Sequence, residues 1–135
     1  MSAAAALRPG LDALATAELA KEDAYILVAG FFAEATLKAL VAHKRWLEGN
    51  RSLKPIRNHN LVKLCEEAIL HSGNVLKVIP PWAPLLNAFH DSPYFIRYKE
   101  SGGLYALPPR STLHRELVEV SELTKGALMH AEVVR

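Results

Sequence analysis

The apolar positions of this chain fall into one long block and three shorter stripes. From Ala24 to Ala33 the run AYILVAGFFA has no period-two alternation, and it is long for a buried strand. Beyond it Glu34, Lys38, Arg45 and Glu48 recur at steps of four, seven and three. That places them in one polar stripe of a helix with 3.6 residues per turn. The pattern predicts a single helix over Ala24–Leu47, apolar all round in its first half and therefore covered there on most sides. Glu34 and Lys38 stand in the favourable i, i+4 order. Gly30 is a poor helix former, and its expected compensation is the close approach of a neighbouring helix. Gly49-Asn50 is the expected stop.

Arg51 to Asn58 reads as a polar connection containing Pro55. A second helix is predicted from about His59 to His71, because Leu61, Leu64, Cys65, Ala68 and Ile69 form an amphipathic stripe, with Asn58 or Asn60 as its cap. Val75 to Ile79 is a short apolar link. Pro80-Pro81 suits the first turn of a third helix, whose buried face is Trp82, Leu85, Leu86 and Phe89, and His90-Asp91-Ser92-Pro93 breaks it. Two aromatic and branched stretches, Phe95 to Lys99 and Leu104 to Leu107, flank Ser101-Gly102-Gly103 and predict a small β-hairpin; a helical extension with an irregular loop is the competing reading. The last helix is expected over Ser111–Val133, with Leu113, Leu117, Val120, Thr124, Ala127, Leu128 and Ala131 inward and Glu116, Glu119 and Glu122 outward. Four helices with short to medium links make the expected fold all-α, an antiparallel four-helix bundle with the hairpin before its last helix.

At the N-terminus, MSAAAALRPG ends in a breaker and lacks the basic and apolar regions of a secretion signal. Residues 1–17 are expected as an Ala-rich, frayed leader and residues 18–135 as the bundle domain. Leu11 to Ala20 is compatible with a helix that runs on into the long one. The 135 residues suit one domain, and the 50% hydrophobic content excludes a disordered class. Ten uncharged residues between Asp23 and Glu34 fall short of the roughly twenty of a membrane span, so no membrane association is expected. The single cysteine, Cys65, excludes an intramolecular disulfide; it falls on the apolar stripe of the second helix and is expected buried, in a reducing cytoplasm.

The net charge of +2 names no partner, but its distribution is uneven. Between His43 and Lys63 stand Lys44, Arg45, Arg51, Lys54, Arg57 and Lys63 against Glu48 alone, a belt able to hold phosphates or simply a solvated loop. His59 lies at the positive end of the second helix, where with Arg57 it could contact a phosphate helped by free backbone N–H groups; local packing beside the Asn caps is the alternative. Arg97 and Tyr98 offer a cation and a ring to a base, or pack the hairpin on the bundle. The scattered histidines have no zinc-ligand spacing, so neither metal nor cofactor is expected. His90-Asp91 reads as a turn and Glu66-Glu67 as a solvated face. No Walker, dinucleotide or GxSxG motif occurs.

The order FFAEATLKALV, a polar link, HNLVKLCEEA, a third helix, IRYKESGG and a proline before the last helix resembles the HEPN family over about Glu18 to Glu132. His59 to Leu64 looks like that family's opening of helix two, and Arg97-Tyr98 like its Arg-Tyr element. The resemblance implies a helical bundle that commonly dimerises. Many members are RNases acting as toxins or antiviral effectors; others are inactive partners of nucleotidyltransferases or nucleotide-binding modules. In the nuclease members an Arg, followed after four to six residues by a His, holds phosphate and moves the ribose proton without metal. Here the nearest match, Arg110 and His114, has a gap of three, although i and i+4 share a helix face; Arg57 and His59 are two apart. The expectation is a homodimeric, non-catalytic module for nucleotide or RNA, or the partner of a nucleotidyltransferase in a toxin–antitoxin or defence system. The alternatives are a metal-independent endoribonuclease using Arg110 and His114, and a purely structural interaction domain.

Overall fold

The computed structural model describes residues 2–17, 22–49, 56–70, 75–90 and 109–134. These residues form five helices and no strand: α1 (Ser2–Ala15), α2 (Glu22–Leu47), α3 (Leu61–Ile69), α4 (Trp82–His90) and α5 (Arg110–Val134). The fold class is all-α. The expected hairpin falls outside the described residues.

Helix α2 is the shared element, packing against each of the other four. Helix α3 also packs on α4, and α1 on α5. Its buried positions, among them Tyr25, Ala29, Phe32, Leu37, Leu40 and Val41, step by three and four along one broad face. The other face is less covered than the apolar run implies. Leu27 and Phe31, one turn apart, are 40% and 47% exposed, because the neighbours converge on the opposite side. By length and composition Ala24–Leu47 could cross a membrane, with mean hydropathy 1.6, but half of it is covered by the other helices. A core helix meets the same test. Gly49 closes α2 with φ 88°, its N–H donating to Trp46 O at 3.1 Å; only glycine takes that conformation without strain.

Helix α1 departs from the sequence expectation. Arg8-Pro9-Gly10 does not break the chain; Pro9 lies inside a 14-residue helix. Ala4 and Leu11 are buried on either side of it, so tertiary packing outweighs the local cost of Pro and Gly. Arg8 spans the weak turn, binding Asp12 at 2.9 Å and reaching Glu122 of α5 at 3.2 Å. The N-terminal segment described here is thus a packed helix rather than a frayed leader, and it ends in a turn at Thr16-Ala17 rather than running into α2.

Helix α3 follows its stripe: Leu61, Leu64, Cys65 and Ala68 are buried. Asn60 caps it, its Oδ1 accepting from Lys63 N at 3.1 Å, while Asn58 Oδ1 accepts from Asn60 N. Cys65 is fully buried, and burial, with Glu66 adding, pushes its thiol up to about 12. Since the thiolate is the reactive form, Cys65 should resist an aromatic disulfide reagent near neutral pH until denaturant is added. One fast equivalent of released thiolate from the native protein would contradict this.

In α4 the interior side is Trp82, Ala83, Leu86 and Phe89, with Leu85 half-buried. In α5 Leu113, Leu117, Ser121 and Thr124 are buried. Thr36 Oγ1 is buried where α2 faces Trp82 of α4 and Leu117 of α5, with no hydrogen-bond partner among the described residues.

Candidate functional site

Two clusters of titratable side chains lie on α2, one near its N-terminal end and one at its middle. The first contains Arg110 and His114, which start α5 one turn apart. His114 sits between two partners: Nε2 is 2.9 Å from Asp12 Oδ1 of α1, and Nδ1 is 3.1 Å from the Tyr25 hydroxyl of α2. The Asp12 carboxylate thus lies beside Nε2, and the hydrogen bond between the Tyr25 hydroxyl and Nδ1 takes its direction from the ring tautomer. The Tyr25 and His114 rings meet edge to face, with centroids 5.8 Å apart. Tyr25 is fully buried, and burial raises its phenol well above the ordinary value. Arg110 points elsewhere. Its guanidinium donates to the carbonyls of Leu14, at 3.0 Å, and Ala17. The Leu14 carbonyl also accepts from Ala17 N at 3.3 Å, and Ala17 lies just past α1, so Arg110 ties the turn that ends α1 to the start of α5. The i, i+4 spacing places the pair at one corner, where Arg110 also acts electrostatically on Tyr25, the partner of His114.

The second cluster is centred on Glu34. Its Oε1 accepts from His90 Nε2 at 2.8 Å and from His59 Nδ1 at 2.9 Å; its Oε2 accepts from Lys38 Nζ at 3.2 Å. The donors come from α4, from the segment before α3 and from the next turn of α2. Side-chain exposure is graded across them: 5% for His90, 13% for Glu34, 24% for Lys38 and 64% for His59. Burial pushes the Glu34 carboxyl up, but the bonds from His90, His59 and Lys38 together outweigh it and hold its pKa below the usual value. His90 lies directly over Gly30, where an added Cβ would stand 2.6 Å from its Nδ1. The Phe31 ring and the imidazole meet edge to face, with centroids 5.2 Å apart. The neighbour expected at Gly30 is thus the last residue of α4. His90 closes that helix, and Asp91 lies outside the described residues.

The basic belt is divided. Lys44 is buried and donates Nζ to Glu67 O at 3.1 Å. Arg45 pairs with Glu67 Oε1 at 2.7 Å. Both cations therefore join α2 to α3, and Glu67 is a half-buried partner rather than a solvated face. Arg57, His59 and Lys63 remain exposed around the start of α3. The backbone there is already engaged: Leu61 N donates to Asn87 Oδ1 at 2.8 Å, and Lys63 N to Asn60. An anion at this end would meet side chains rather than those two N–H groups. Arg51, Lys54, Arg97 and Tyr98 lie outside the described residues. Among the described residues no group of three His, Cys, Asp or Glu side chains is arranged to hold a metal ion.

Sequence patterns single out neither Glu34 nor His90 as a site, nor Asp12 and Tyr25 as partners of His114. One signal was available: Glu34 is the first charge after ten uncharged residues of a helix that must be buried, and a buried carboxylate requires partners. Comparisons with protein-family models, with curated proteins and with solved structures each find no match.

Proposed function

We propose that this chain is a non-catalytic, HEPN-like module that binds nucleotide or RNA, with α2 to α5 as its four-helix unit. The observation that carries the reading is the engagement of Arg110: its guanidinium is bound to the carbonyls of Leu14 and Ala17 where α1 ends, so phosphate contact falls to Arg57 and Lys63, with His59 beside them. Homodimerisation belongs to the same proposal, with the exposed Leu27 and Phe31 of α2 as apolar surface for a second copy. A nucleotidyltransferase is the partner that the family resemblance suggests.

The test is incubation of the purified protein with labelled single-stranded RNA in EDTA. Binding without cleavage is expected. With His59 bonded to Glu34, the two phosphate contacts of Arg57 and Lys63 correspond to a log–log salt slope of roughly −1.4, and Arg57→Ala with Lys63→Ala should reduce it. EDTA-resistant cleavage that is lost in His114→Ala would favour the endoribonuclease reading instead. That second reading draws on one observation, the orientation of His114 by Asp12 on one nitrogen and Tyr25 on the other, since an oriented imidazole is what general base chemistry requires. Absence of RNA and nucleotide binding would leave a structural interaction domain.

A further inference from the structure

Glu34 is the only acidic group among the described partners in its cluster, and three donors converge on it. Lys38 comes from α2, His59 from the segment before α3, and His90 from α4. With both imidazoles neutral, Lys38 and Glu34 cancel. Imidazole is the side chain that ordinarily changes charge between pH 5 and 8, and each proton taken up here adds an unmatched positive charge. One carboxylate can neutralise one cation. A second and third, both held against the same oxygen, oppose each other and Lys38 at short range.

The two histidines are unequal in their means of escape. His90 is packed over Gly30 and against Phe31, with 5% of its side chain exposed. His59 is 64% exposed and sits on a non-helical segment, so it can turn into water at little cost. We propose that Glu34, His90 and His59 form a proton-operated latch, in which protonation of both imidazoles releases His59 from Glu34 while His90 stays in place. Resting on the reading of the α3 start as a phosphate surface, the latch also regulates that surface. Released His59 joins the exposed Arg57 and Lys63 as a third cation, so phosphate binding strengthens on acidification. The latch keeps the bond while at most one imidazole is charged and loses it when both are.

The latch is tested first without ligand, on the full chain, by following the imidazole nitrogens of His59 and His90 by NMR from about pH 8 to about pH 5.5. The expected result is loss of the His59 Nδ1 hydrogen bond, with the His90 Nε2 bond retained. Lys38→Met removes one competing cation from a partly exposed position and should move the release to lower pH. His59 still bonded to Glu34 at the acid end, or a release midpoint unmoved by Lys38→Met, overturns the latch. A second arm measures the affinity for inorganic tripolyphosphate at constant ionic strength. A rise of about tenfold is expected across that pH interval, the scale of one added hydrogen bond to a charged group, and His59→Asn should abolish it. Release of His59 with no tripolyphosphate binding at any pH would uphold the latch and overturn the phosphate-surface reading. Binding with the same pH dependence in His59→Asn would overturn the regulatory role.

Discussion

Replacing Glu34 by Ala should lower folding stability by about 3 kcal/mol, the scale expected when one partner of a buried charged network is removed. Three donors lose their acceptor at once. His59 and Lys38 can turn to water, but His90 cannot, because 5% of its side chain is exposed. Its Nε2–H would be left buried without a partner, and that desolvation is the larger part of the cost. Glu34→Gln preserves shape and one acceptor oxygen, so it should cost less, and comparing the two variants separates charge from packing. The pH dependence has a definite sign. The Glu34 carboxyl titrates below the usual value in the folded protein because the bonds from His90, His59 and Lys38 outweigh burial. A carboxylate with a depressed folded pKa contributes stability that is fully present above its unfolded pKa, roughly 4.3, and is lost as pH falls through the folded value. The stability gap between the native protein and Glu34→Gln should therefore be present at neutral pH, narrow as the His59 bond is released, and close as pH falls through the depressed folded value of the carboxyl. Urea unfolding at several pH values measures it. A gap that widens with acid would show that the carboxylate is not stabilised in this way.

Gly30→Ala should destabilise by about 1–2 kcal/mol, against the local preference of a helix interior, where Ala is favoured over Gly by about 1 kcal/mol. The reason is distance. A Cβ at this position would lie 2.6 Å from His90 Nδ1, 3.1 Å from its Cγ and 3.2 Å from its Cβ. The ring tip could rotate, but the His90 Cβ is tied to the backbone of α4. Rotation would also break the bond to Glu34 and disturb the edge contact with Phe31. Relief therefore requires an off-rotamer imidazole or a shift of the helix end. Two comparisons identify the cause. Gly30→Val should cost more than Gly30→Ala. In a His90→Ala background, Gly30→Ala should cost less than in the native protein, because the ring contacts at 2.6 and 3.1 Å are gone and only the approach to the residue 90 Cβ at 3.2 Å remains. A Gly30→Ala variant more stable than the native protein would mean that His90 yields freely, and the tight contact would then have no energetic weight.

Much of the fold is legible in short-range pattern because helices are short-range objects. The apolar run and its polar stripe mark α2 almost to the residue, and Gly49 marks its end. The i, i+3, i+4 spacing of Leu61, Leu64, Cys65 and Ala68 marks the buried face of α3, and Asn60 its cap. In each case the evidence lies within four or five residues of the feature it predicts, the range over which helical bonds and same-face neighbours act.

The sequence by itself determined the all-α class, the helix on which the fold centres, and the chemistry available: cations near residues 44–63, Arg110 and His114 four apart, and a polar stripe that begins at Glu34. Tertiary structure decided what those groups do. Glu34 meets residues 25 and 56 positions away, and Tyr25 meets His114 across 89. Arg110 is drawn to the carbonyls of the turn that ends α1, and α1 itself survives Pro9 because Ala4 and Leu11 find buried places. Local preference at such positions is worth about 1 kcal/mol for Gly, whereas an unpartnered buried donor or carboxylate costs several times that. Packing therefore selects the partners, and a linear pattern contains the donors and acceptors without the distances that pair them.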